Sequence, residues 1–188
     1  MSRPVDPERR AQLLGAAVDY AVEHGLADLT LRPLADALGV MPNTLVHHFG
    51  SKEELLSEIL NGVRDRLRAL RADMEQDPEQ APLEGVWAWT SAPERLALFR
   101  SFFEAYGLAL HQPERYRPFL DRVVADWLAD AEPAGRTPQQ ATLELAVLRG
   151  LLLDLLTTGE RERVQAAFSL FVRYRSSSDP SAATLTAE

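Results

Sequence analysis

The stretch LTLRPLADALGVMPNTLVHHFGSKEELL, residues 29–56, decides how the whole chain reads. It holds two short apolar-periodic segments joined at Gly39-Val40. Thr30 takes the N-cap of the first, whose apolar face is Leu31, Leu34 and Leu38. Gly39 stops that helix, because a glycine past the last apolar position can adopt the left-handed cap conformation. The second segment fits Pro42 to Phe49, with proline at its start and Gly50 closing it. Ser51 then caps a long helix, and Glu54 three residues on completes a capping box. Leu55, Leu56, Ile59, Leu60, Val63, Leu67 and Leu70 carry this helix over 52–77, where Pro78 prevents continuation.

Outward from this core the pattern stays helical. Upstream, Asp6-Pro7 opens a helix with Leu13, Leu14, Ala17, Val18, Ala21 and Val22 on one stripe, ending at His24-Gly25. Downstream, prolines at 82, 93, 113, 118, 133 and 138 punctuate a short segment holding Trp87 and Trp89 and helices predicted over 94–111, 114–131, 139–157 and 160–175. No stretch alternates as a half-buried strand would. The fold class is therefore all-α. An N-terminal three-helix domain (1–52) hands over through the long helix to a larger helical domain (53–175). A Ser/Ala/Thr-rich tail (176–188) is predicted to be disordered.

Composition bounds the function. The 188 residues are 46% hydrophobic and 26% charged, as in ordinary globular proteins. The absence of cysteine excludes disulfides, cysteine nucleophiles and thiolate metal sites, and fits a cytoplasmic setting. The most apolar window, Leu143 to Leu156, is interrupted by Arg149 and Asp154 and falls short of the roughly 20 apolar residues of a membrane helix. No Ser/His/Asp order, paired-carboxylate motif or phosphate loop emerges, so no catalytic residue and no cofactor is expected. His47 and His48 are adjacent and point about 100° apart on a helix, which argues against a shared metal ion.

Two short helices with a glycine turn match the helix-turn-helix plan. Leu34, Ala35 and Leu38 form the inner contact of the first, and Val40 and Leu45 the buried side of the second. Met41, Asn43, Thr44, His47 and His48 are left as candidates for an outward surface.

At this point the chain resembles the tetracycline-repressor (TetR) family. The resemblance rests on Leu29 through Val40 and on Thr44-Leu45-x-His47-His48-Phe49-x-Ser51-Lys52-Glu53-x-Leu55-Leu56, and it is strong over residues 8 to 60. It implies a homodimeric, ligand-responsive repressor of a pseudo-palindromic double-stranded DNA operator. It implies that Thr30 and the dipole of its helix hold a phosphate and that Arg32 reads guanine. Asn43, Thr44 and His47 would reach base edges, His48 a phosphate, and Lys52, the sole lysine, would clamp the backbone. The chain departs from the family at Val46, where tyrosine is common and its hydroxyl bonds the DNA backbone. Val46 instead either presses on a thymine methyl or fills a gap. The departure leaves a second reading open: a regulator-like helical protein with degenerate DNA binding that acts through protein contacts.

Residues 86–131 concentrate aromatics. Such residues either pack a core or line a cavity. The resemblance implies a pocket for an unknown small-molecule effector, with Trp87, Phe99, Phe102, Phe103, Tyr106, His111, Tyr116 and Trp127 as candidates. Helices 139–157 and 160–175 suit an isologous four-helix interface, or else an intrachain bundle. The interface candidates are Leu143, Val147, Gly150, Asp154, Val164, Phe168 and Phe171, with Asp154 bonded to an arginine across the interface, Arg149 being the candidate.

The net charge of −8 excludes promiscuous coating of nucleic acid. Its distribution is uneven: residues 1–52 carry 5 bases against 6 acids, and the acidity concentrates in 53–135. Arg3, Arg9, Arg10, Arg32 and Lys52 can share one face, which predicts a specific and confined DNA contact.

Overall fold

The computed structural model describes residues 6–26, 29–74, 83–132 and 135–177. Among the described residues every regular element is helical: α1 (Pro7–His24), α2 (Leu31–Ala37), α3 (Pro42–Phe49), α4 (Lys52–Met74), α5 (Leu83–Thr90), α6 (Leu96–His111), α7 (Arg117–Ala131), α8 (Pro138–Thr158) and α9 (Arg161–Ser177). A 3₁₀ turn, Pro93–Arg95, precedes α6. None of the helices is long and apolar enough to cross a membrane. The chain divides into two compact units, 1–76 with 97–126, and 77–96 with 127–188.

The first unit is built on α1 and α4. Asp6 caps α1, its carboxylate accepting the Glu8 and Arg9 amides at 3.0 and 3.3 Å. Leu13, Ala17, Val18 and Ala21 turn inward against Leu55, Ile59, Leu60 and Val63. The two helices approach closely because position 62 is glycine: a Cβ there would stand 2.5 Å from Val18 Cγ2. An Asp19–Arg66 ion pair spans the same two helices. Leu98, Phe102, Ala105 and Ala109 of α6, with Phe119 and Val123 of α7, complete this core. Buried Arg64 on α4 bonds Asp126 of α7, Nε to Oδ2 at 2.7 Å. At the end of α1, Glu104 of α6 accepts the Leu26 amide at 2.7 Å, and Ser101 Oγ lies 3.4 Å from the Ala21 carbonyl.

In the second unit, α8 opens with a reciprocal capping box between Thr137 and Gln140. Ala141, Leu148, Leu152 and Leu155 of α8 and Val164 and Phe168 of α9 are buried. Trp87 of α5 stacks on Phe168 at 5.0 Å and donates from Nε1 to Gln165 at 2.7 Å. Glu144, almost fully buried, is held by Arg136 at 2.9 Å and Arg175 at 2.7 Å. Partnering on both carboxylate oxygens is what makes a buried acid tolerable.

Element boundaries shift from the sequence-based spans for identifiable reasons. The helix predicted over 114–131 begins at Arg117, which puts Pro118 in the first turn, where its missing N–H breaks no bond. The helix predicted from 94 begins at Leu96, because Pro93–Arg95 winds as a 3₁₀ turn. The segment holding Trp87 and Trp89 is itself a helix, α5. Ser176 and Ser177, counted in the predicted tail, continue α9, while 178–188 lie outside the described residues, as do Arg3 and the end of the predicted 52–77 helix.

Candidate nucleic-acid interface

The interface starts from a seven-residue helix and an eight-residue helix, each too short to stand alone in water. Thr30 occupies the N-cap of α2 in extended conformation, its side chain making no cap bond. Leu34 and Ala35 are fully buried beneath. Gly39, with φ 65°, makes the turn, and the Val40 amide returns to the Ala35 carbonyl at 2.9 Å. This fixes the start of α3, whose Leu45 and Phe49 turn into the core.

Burial of Leu45 and Phe49 dictates what α3 presents outward. At 100° per residue, Asn43, Val46 and His47 fall on the open side, and all three are exposed. Met41, at the N-cap, is 72% exposed. Thr44 and His48 sit half-buried on the flank, His48 with its Nδ1 buried and edge-on to His47 at 5.2 Å. Arg32 is exposed on α2, and Lys52 is half-buried at the first turn of α4. Neither makes an ion pair to another described residue. Ser51 Oγ accepts the Glu54 amide at 3.1 Å, and the Glu54 carboxylate folds against Gly50.

Arg10 plays a part that composition does not reveal. Instead of joining a DNA-facing row, it turns inward to α3. Its Nε donates to the His48 carbonyl at 3.1 Å, its guanidinium pairs with Glu58 of α4, and it lies over the Phe49 ring at 5.0 Å from the centroid. A cation on the last carbonyls of a helix satisfies orphan acceptors and complements the dipole. Arg10 therefore pins the C-terminal end of α3 to α1 and α4.

The aromatic candidates divide between the units. Phe102, Phe103, Tyr106 and Phe119 form one cluster in the first unit, with centroids 5.8 to 6.2 Å apart. Phe119 is a member that the candidate set omits. Phe99 and Tyr116 are buried in the same unit, and His111 is exposed. Trp87 and Trp127 belong to the second, where Trp127 Nε1 donates to the Ala141 carbonyl at 2.8 Å.

On α8 and α9, Val164 and Phe168 face inward, whereas Leu143 is 58% exposed and Gly150 has nothing within reach of an added Cβ. Val147 and Phe171 are half-buried beside a groove of about 690 Å³ that they line with Leu143, Tyr174 and Arg175. Leu153, Leu170 and Tyr174, absent from the candidate set, extend the exposed apolar face. Asp154 is bonded within the chain, by a bidentate pair from Arg163 at 2.7 and 2.8 Å. The tight Gly159 turn brings the first coil of α9 beside the last of α8. The hydrogen bonds and charge of Arg163 hold the Asp154 carboxyl below its ordinary range, and the same partnership raises the guanidinium.

Comparison with known proteins matches this geometry. Residues 13–59 match the model of the bacterial regulatory proteins of the tetR family. The HTH-type transcriptional repressor KstR2 of Mycobacterium tuberculosis (strain CDC 1551 / Oshkosh) is 42% identical over 97 residues, covering 52% of this chain and 44% of that protein. The chain thus spans about half the length of the curated relatives it matches. Among solved structures, the multidrug binding protein EbrR complexed with ethidium superposes with a TM-score of 0.66 at 26% identity, over 87% of this chain and 98% of that one. A tetR-family member from Streptomyces coelicolor A3 shares the fold at a TM-score of 0.70 and 24% identity, over 89% and 98% of the two chains.

Proposed function

We propose that this chain, whose residues 13–59 match the tetR family of bacterial regulatory proteins, is a ligand-responsive transcriptional repressor acting in the cytoplasm as a homodimer. The observation that carries this reading is the outward face of α3. Asn43 and His47 stand exposed on a helix whose inner side and far end are fixed by Leu45, Phe49 and Arg10. A helix held in this way can enter a major groove without reordering, so its base contacts are not weakened by the entropy of folding on DNA. Thr30 and Lys52 flank it as phosphate contacts, and Arg32 and Thr44 as further base contacts.

Dimerisation follows from the exposed apolar face of α8 and α9. At 100° per residue, Leu143, Ala146, Gly150 and Leu153 share the side of α8 opposite its buried residues. A dimer of this kind would read two half-sites one helical turn apart, about 34–36 Å, or a multiple of it. The effector is a small apolar or amphipathic molecule that takes its contacts from the aromatic cluster of the first unit, Phe102, Phe103, Tyr106 and Phe119. It binds a conformation whose α3 spacing does not fit the operator, so effector and DNA weaken each other by the same factor. EbrR is a multidrug binding protein complexed with ethidium, which makes planar aromatic cations the first effectors to try.

The test is selection of bound duplexes from random DNA with the full chain, followed by titration at several salt concentrations. A palindromic consensus bound by a dimer is expected. Lys52→Ala should weaken binding to every sequence alike and lower the salt slope by about 1. A monomer that recovers no sequence would overturn the proposal.

A further inference from the structure

The outward face of α3 contains a side chain that the contacts assigned so far leave without work. Val46 is 39% exposed, on a helix whose other large apolar residues, Leu45 and Phe49, are buried. An isolated surface valine needs no explanation. This one lies one turn beyond Asn43 on the same open side, with Asn43 between it and His47 around the helix axis. It therefore shares the strip that would face base edges.

The chemistry of the major groove narrows what Val46 can meet there. It has neither donor nor acceptor, so against a phosphate oxygen, a guanine O6 or a cytosine amino group it would strip water from a polar atom and return no hydrogen bond. One base feature in that groove is apolar, the C5-methyl of thymine. Asn43 beside it matches the same base pair from the other strand, because an asparagine amide can bond adenine N6 and N7 together. A branched side chain is also stiff at χ1, so its two methyls hold a defined position and lose little entropy on contact.

We propose that Val46 is a specificity-determining residue that reads the C5-methyl of a thymine in the A·T pair whose adenine Asn43 reads. The inference rests on the DNA-binding reading above and deepens it. Each half-site then contains a position where thymine is chosen for its methyl group and not for its hydrogen-bonding edge.

The experiment uses the full chain and the palindromic duplex recovered by selection. Each thymine is replaced in turn by deoxyuridine, which pairs identically but lacks the methyl, and binding is followed by fluorescence anisotropy at fixed salt. One position per half-site should show about a fourfold loss, the worth of about 0.8 kcal/mol for one buried carbon. Val46→Ala should bind the thymine duplex about as weakly as the native chain binds the deoxyuridine duplex, and should be indifferent to the exchange. Val46→Thr, which keeps one methyl, should retain part of the discrimination. Thermal melting of both variants should match the native chain, since the side chain is exposed. Equal native affinity for every deoxyuridine duplex would overturn the proposal while leaving DNA binding intact. So would an undiminished deoxyuridine penalty in Val46→Ala. Failure of the chain to select any DNA would instead overturn the reading on which the proposal rests.

Discussion

Helices α3 and α8 solve opposite problems. Helix α3 has eight residues, no side-chain cap at Met41, and an end tied down by Arg10, a residue 38 positions before the carbonyl it holds. Helix α8 has 21 residues, a complete capping box, a glycine stop at Gly159 and a bidentate arginine bond to its last turn from the helix that follows. The short helix takes its place from distant neighbours, whereas the long one is secured largely by residues within a few positions of its ends. A recognition element placed by distant contacts can be displaced by changes far from DNA. A scaffold element with local caps absorbs the loss of any one of them.

The sharpest way to break this contrast is at the inner face of α3. Leu45→Ala removes a fully buried side chain and should cost about 3 kcal/mol. Calorimetry should show a lowered melting transition, and DNA binding should disappear with it. Gly62→Ala strikes the support beneath. The new methyl group would meet Val18 at the α1–α4 crossing, and overpacking there should cost about 2 kcal/mol. Urea denaturation should find the midpoint lowered with the slope unchanged.

Arg10→Ala separates placement from stability. The side chain is partly exposed, so denaturation should register a loss of about 1 kcal/mol. Operator affinity should fall by at least tenfold, because α3 loses its end contact. Equal losses in the two measurements would mean that Arg10 contributes stability alone. The smallest effect belongs to α8. The Asp154 carboxyl has its pKa lowered by Arg163, so its contribution is complete above the ordinary carboxylate range and is lost as pH falls through the lowered value. Asp154→Asn should therefore melt slightly earlier than the native chain at neutral pH and converge with it in acid.

What could be read from sequence follows the same division. Helix α3 and its turn were legible because Gly39, Pro42 and Gly50 act within a few residues of where they stand. The spans of α8 and α9 were legible for the same reason, from Pro138 and the Gly159 region. Partners of the charged groups were not. Nothing local distinguishes Arg163 from Arg149 as the mate of Asp154, since that choice depends on how tightly the chain reverses at Gly159. Nor does a sequence say that Arg10 turns inward, because Glu58 and the His48 carbonyl come near it only after α1, α3 and α4 have packed. The eight aromatic candidates separated into two units because helical periodicity reports which side of a helix is apolar and not which neighbour it meets.

The Glu104 carboxylate at the end of α1 has a consequence of its own. It is the acceptor for one backbone proton, that of Leu26, beside Gly25, whose φ of 85° suits a residue without a side chain. That proton is shielded only while α6 and α1 remain joined, so its exchange with solvent deuterium is a clock for their separation. The clock runs in the isolated protein, without operator or effector. Slowing or quickening by a candidate molecule would reveal that the molecule acts on the path from α6 to the reading head.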